Sequence, residues 1–215
     1  MHIVTLELIL SANFYTMLDF FTSPYFLLFA RLFVGGVFVV SGVAKWVDKP
    51  GTEASMSRYR FLPVGSGKLI ANVFPVLELA AGLLLVLGLF TTVAALGAVA
   101  LFAVFTALVV YDLARGQNQS CHCFGRLSDE RLTPMAVVRN LVLMALSLLV
   151  AFGPAGWFSL DFALGIAREG ASAIQADAAN VVPIVLLALL AVFVVVYGGQ
   201  AISMVRNTLR GLGFR

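Results

Sequence analysis

Cys121 and Cys123 stand one residue apart in the stretch QSCHCFGRL, with His122 between them, and the 215-residue chain has no other cysteine. A close pair of thiols can cycle between dithiol and disulfide if a turn brings the two Cα atoms within about 6.8 Å. So short a ring is strained, and strained, accessible disulfides are the ones that exchange readily. Arg115, Arg126 and Arg131 lie near the pair in sequence, and a positive field favours the nucleophilic thiolate. His122 could act as a local acid or base. The competing reading is two reduced, inert thiols in a polar loop. Metal binding ranks below both. Adjacent residues do not easily wrap a tetrahedral ion, and the other histidine is His2.

A second group of candidates consists of charges inside apolar segments. Glu78 sits halfway along one such segment, and Arg31 and Arg139 lie one and a half to two turns into two others. A charge at the bilayer centre costs about 2.5–3.5 kcal/mol on insertion scales, so it should face the bundle interior and find a partner. By depth, Glu78 is expected to meet Arg139, with Arg31 as the alternative. The three residues are expected to form an intramembrane polar centre, either as a structural ion pair or as a proton or polar-ligand site.

The elements that must position these groups follow from composition. Hydrophobic residues make up 61% of the chain and charged residues 12%, whereas soluble domains carry about 25% charged residues. The chain therefore reads as a multi-pass membrane protein. Five windows are long and apolar enough to span a bilayer: about 24–45, 68–89, 91–113, 133–153 and 179–205. The expected fold is an all-α membrane bundle. An interfacial segment over 1–23, which lacks the basic start of a cleaved signal, precedes a four-helix domain over 24–153. An extramembrane loop over 154–178 follows, with Trp157 and Phe158 as interface anchors and room for a short surface helix. A fifth transmembrane helix and a basic tail occupy 179–215. Spans two and three are joined by almost nothing and must form a tight antiparallel hairpin.

Arg31, Gly35, Phe38, Gly42 and Lys45 share one face of span one, and Pro75, Glu78 and Gly82 share one face of span two. Small residues there let two helices approach closely, so these spans are expected to pack tightly together. Eleven basic residues fall on one side of the alternating loops: Lys45, Lys49, Arg58, Arg60, Lys68, Arg115, Arg126, Arg131, Arg206, Arg210 and Arg215. Arg168 falls on the other. The positive-inside rule then predicts N-terminus out, C-terminus in, and a cytoplasmic cysteine loop. The loop charges read as orientation signals, with no footprint for nucleic acid. No cofactor motif is visible, although a quinone is compatible because an apolar slot leaves no motif.

The blocks RLFVGGVFVVSGVAKWVDKP, RFLP, FPVLELAAGLLLVLGL, CHCFG and VVRNLVLMALSLL, in this order over about residues 31–149, resemble the MauE (methylamine utilisation) family within the wider DoxX-like group. The family pattern usually has glycine between the cysteines, where this chain has His122. The resemblance implies a four-helix membrane core in a bacterial-type plasma membrane. It also implies thiol–disulfide exchange by Cys121 and Cys123 with a thioredoxin-like partner or client protein, in the maturation of a disulfide-rich periplasmic subunit. A periplasmic role wants the thiols outside, whereas the charge bias puts them inside. The pair would then draw on a cytosolic reductant, or form a structural or regulatory disulfide. The rival expectation is a non-catalytic accessory or structural subunit of a larger membrane complex, such as an electron-transfer complex. The fifth span and the half-apolar 154–178 loop would supply its contact surfaces.

Overall fold

The computed structural model describes residues 19–57, 66–116, 134–153, 159–164 and 178–211. Among them the regular elements are helices: α1 (Pro24–Val47), α2 (Lys49–Met56), α3 (Ser66–Leu87), α4 (Thr91–Ala114), α5 (Pro134–Phe152), α6 (Leu160–Ala163) and α7 (Ala178–Gly211). Helices α1, α3, α4 and α5 are each long and apolar enough to cross a membrane, and α7 carries the shorter apolar stretch Val181–Tyr197. The protein is a multi-pass membrane bundle. The expected N-terminal interfacial segment (residues 1–18 of it), the Cys121–His122–Cys123 segment and the anchors Trp157 and Phe158 lie outside the described residues.

Helix α1 begins as its sequence dictates. Ser23 accepts a hydrogen bond from the Phe26 N–H at 3.3 Å, and Pro24 takes the first helical position, where a missing N–H costs nothing. It is the inner helix, with 61% of its apolar window buried against 28% for each of the other three spans. Its Ala30, Val34, Val37 and Phe38 join Leu85 of α3, Ala95 and Ala98 of α4, Leu143 of α5, and Val192 of α7 in one core. The Phe38 ring lies 4.6 Å from that of Phe102 on α4. Gly36 leaves room for α7, since a Cβ there would come within 2.8 Å of Val192 Cγ2.

The expected close crossing of spans one and two is present, and it is built of backbone. A Cβ on Gly82 would sit 2.8 Å from the Gly35 carbonyl oxygen and 2.8 Å from the Val39 nitrogen. Further along, a Cβ on Gly42 would sit 3.0 Å from the Pro75 carbonyl oxygen. These contacts pair residue 35 with 82 and residue 42 with 75, so α1 and α3 run antiparallel. Without a hydrophobic drive inside lipid, such van der Waals closeness is what holds helices together.

The hairpin between α3 and α4 is as tight as expected. Gly88, at φ +68°, donates to the Leu85 carbonyl, and Leu89 donates to the Leu84 carbonyl, the paired bonds of a Schellman end. Helix α4 then starts from Phe90 with φ +48°, and the Phe90 side chain makes no capping bond. Its cap comes from far along the chain. On α6, Asp161 accepts from the Phe90 N–H (2.7 Å), the Thr91 N–H (2.8 Å) and the Thr91 hydroxyl (2.8 Å). The Asp161 N–H returns a bond to the Gly88 carbonyl at 3.0 Å.

One element was not anticipated. Residues 46–67 were expected as a loop, but α2 occupies Lys49–Met56 and packs on α3, burying Thr52, Ser55 and Met56. Pro50 at its first turn and Thr52, whose hydroxyl bonds the Asp48 carbonyl at 3.0 Å, fit a short polar helix.

Candidate functional site

The close crossing of α1 and α3 ends in charge. On α1, Ser41 and Lys45 are one turn apart on the same face and touch, with Lys45 Nζ 3.0 Å from Ser41 Oγ. Both donate to one oxygen of Glu78 on α3. Lys45 forms a direct salt bridge to Glu78 Oε1, and Ser41 Oγ bonds the same atom at 3.2 Å. All three side chains are buried, Glu78 to 0% exposure. The ammonium also sits 4.3 Å above the Phe105 ring centre, so an aromatic face of α4 supplements the carboxylate.

This changes the expected pairing. Glu78 was expected to meet Arg139 or, failing that, Arg31; its ion-pair partner is Lys45. The reason is geometric. The glycine stripe brings α1 against α3, and Lys45 lies on that stripe, so its flexible stem turns inward to the carboxylate. Lys45 therefore drops out of the loop charges that orient the chain.

Arg139 shares the site by another route. With Asn140 and Leu143 of α5 it lines a cavity of about 20 Å³ that also touches Ser41, Lys45, Glu78, Phe102 and Phe105. Arg31 does not belong there. Gly88 abuts it, with Arg31 Nη1 2.6 Å from where a Gly88 Cβ would be, and its charge acts on Asp161. The expected polar centre is thus two centres. Glu78 and Arg139 meet around the cavity with Lys45, and Arg31 stands near the opposite end of α1 with Asp161.

Asp161 lies outside the spans, and its carboxyl sits below the usual carboxylate range. Burial alone would raise it. The Thr91 N–H and hydroxyl, the Phe90 N–H and the Arg31 charge together pull it down. Sequence reasoning missed both Asp161 and the role of Lys45. The signal for Lys45 was its place four residues after Ser41 on the glycine stripe.

The cavity faces a definite end of the bundle. Lys45 is in the last turn of α1, and Arg139 and Asn140 lie about 8 Å in from the start of α5. The last residue of α4, Ala114, and the first of α5, Pro134, belong to that same end.

The profile of the family described as methylamine utilisation protein MauE matches residues 23–153. The chain belongs to the MauE family. It is 33% identical over 138 residues to Methylamine utilization protein MauE of Paracoccus denitrificans, covering 64% of this chain and 74% of that protein. It is 30% identical over 133 residues to Methylamine utilization protein MauE of Methylophilus methylotrophus, covering 61% and 70%. No solved structure matches it. The MauE match takes in α1 to α5, and with them the ion pair, the cavity and the cysteine segment; α6 and α7 fall beyond it.

Proposed function

We propose that this MauE-family protein exchanges disulfides across a membrane surface and serves the maturation of a methylamine-utilisation component. Cys121 and Cys123 are the exchanging pair, and His122 assists proton transfer. The thiolate of one cysteine attacks the disulfide of a thioredoxin-like partner, forming a mixed disulfide and releasing one partner thiolate. The second cysteine then attacks the mixed disulfide, closes the Cys121–Cys123 bond and releases the second partner thiolate. Two electrons pass to the partner, and the two thiol protons of the pair end on the partner or in water. The reverse sequence oxidises a client dithiol. The observation that carries this reading is membership of the MauE family together with the one pair of cysteines, one residue apart, inside the matched region.

Trapping tests it. Cys121→Ser and Cys123→Ser should each leave one attacking thiol without its resolver. At least one should therefore hold a partner as a mixed disulfide on non-reducing gels. Capture by neither variant, with full function in the double serine variant, overturns the reading and favours a non-catalytic accessory subunit. Labelling intact cells with an impermeant thiol reagent separates a cytoplasmic pair, as the loop charges predict, from an external one.

A further inference from the structure

The Glu78 carboxylate is bonded on one side only. Oε1 receives both donors, Lys45 and Ser41, while no donor among the described residues reaches Oε2. A buried polar atom left so is costly, and Glu78 is one of the residues that line a cavity. The cavity volume, about 20 Å³, exceeds the roughly 10–15 Å³ one water molecule needs. Asn140 and Arg139 supply further polar groups across it, and the rest of its wall is largely aromatic.

We propose that Glu78 is a proton-exchange site inside the membrane, served by one water molecule in this cavity. The geometry allows a proton to add to Oε2 while both hydrogen bonds to Oε1 stay in place. Protonation forms the Oε2–H bond, and the acid then donates to the cavity water or to the Asn140 amide oxygen. The proton comes from solvent at the end of the bundle where α5 begins, and it returns the same way. No electrons move. Among the described residues, Arg139 of α5 lines the same cavity, and Lys45 of α1 is the charged group bonded to Glu78, favouring its carboxylate. Ser41 of α1 adds a hydrogen bond to it, and α4 presents only Phe102 and Phe105. Against them stands the hydrocarbon setting, which favours the neutral acid. These opposed influences, together with a water-sized cavity lined by Glu78, distinguish an exchanging site from a fixed ion pair.

The proposal is independent of the thiol chemistry. Infrared difference spectroscopy of the full chain in liposomes, recorded between two pH values, tests it directly. The expected result is a carboxylic-acid C=O band that shifts in deuterated water and disappears in Glu78→Gln. The same band should persist in the Cys121→Ser/Cys123→Ser variant, so the two readings fail separately. Should Glu78→Gln fail to fold, Ser41→Ala serves in its place. Loss of the hydroxyl that bonds the carboxylate should displace the midpoint of the band. An unmoved midpoint, or no such band in the wild type across the pH range where it stays folded, overturns the proposal.

Discussion

The tightest test of the architecture is a single methyl group placed at two glycines. At Gly82 an added Cβ would lie 2.8 Å from the Gly35 oxygen and 2.8 Å from the Val39 nitrogen, both backbone atoms that cannot swing away. Real Cβ atoms essentially never come closer than 3.0 Å, so α1 and α3 must part. Overpacking of this kind costs about 1–3 kcal/mol. At Gly97 on α4 nothing lies within 4 Å. Both changes gain roughly 0.5–1 kcal/mol from replacing a helical glycine with alanine, and that gain cancels when the two variants are compared. Gly82→Ala should therefore be less stable than Gly97→Ala by about 1–3 kcal/mol. At about 2–4 °C per kcal/mol for a chain of this size, the melting temperatures should differ by roughly 2–12 °C. Thermal unfolding in mild detergent, followed by tryptophan fluorescence, measures the gap. Coincident melting of the two variants would refute the backbone contact.

The remaining predictions concern the charges. Lys45→Met strands a wholly buried carboxylate and should cost about 3–5 kcal/mol, whereas Lys45→Met/Glu78→Met should recover most of it; unfolding titrations of both variants decide this, and an undisturbed single variant would contradict the ion pair. Asp161→Ala removes the cap of α4 and should cost about 1 kcal/mol in the same titrations. Because the Asp161 carboxyl is held below its ordinary value, its stabilisation is present above the unfolded carboxylate value of about 3.9 and is lost as pH falls through the lower folded value. Melting measured across an acid series should thus show a shallower decline for Asp161→Asn than for the wild type, and parallel declines would remove Asp161 from the account.

Much of the fold was legible because the bilayer imposes it. Hydrocarbon thickness sets helix length, so the four long apolar windows match α1, α3, α4 and α5 to within two residues at most ends. The α1–α3 contact was legible for a related reason: Gly35, Gly42 and Gly82 have little use on a lipid-facing surface and much at a crossing. Glu78 stood out because a carboxylate in an apolar span must answer for its cost. Its partner did not stand out. A lysine two residues from a helix end looks like an orientation charge until the crossing shows that its stem points inward. Asp161 was less legible still. It caps a helix start some 70 residues earlier in the chain, and a cap from so distant a segment leaves no local pattern such as a serine before a helical run. Helix α2 was obscured by its polarity and by Pro50 and Gly51, which read as loop until Thr52, Ser55 and Met56 are seen against α3.

Arg31 and Lys45 occupy the same face of α1 about 21 Å apart, and each answers to a carboxylate from a different element. Lys45 bonds Glu78 directly, while Arg31 acts through its charge on the Asp161 that caps α4. The glycine crossing lies between them. The small residues set how closely the two helices approach at the crossing. The charges on either side of it add a second constraint on register. Sliding α1 by one turn, about 5.4 Å, would pull the Lys45 ammonium away from the Glu78 carboxylate and break the salt bridge. It would also take the Arg31 charge away from the α3–α4 turn. The ion pair is thus a device of register more than of strength, a use of buried charge that is better attested than net stabilisation. The pair thereby also fixes the position of Lys45 and Glu78 in the wall of the cavity they share with α4 and α5.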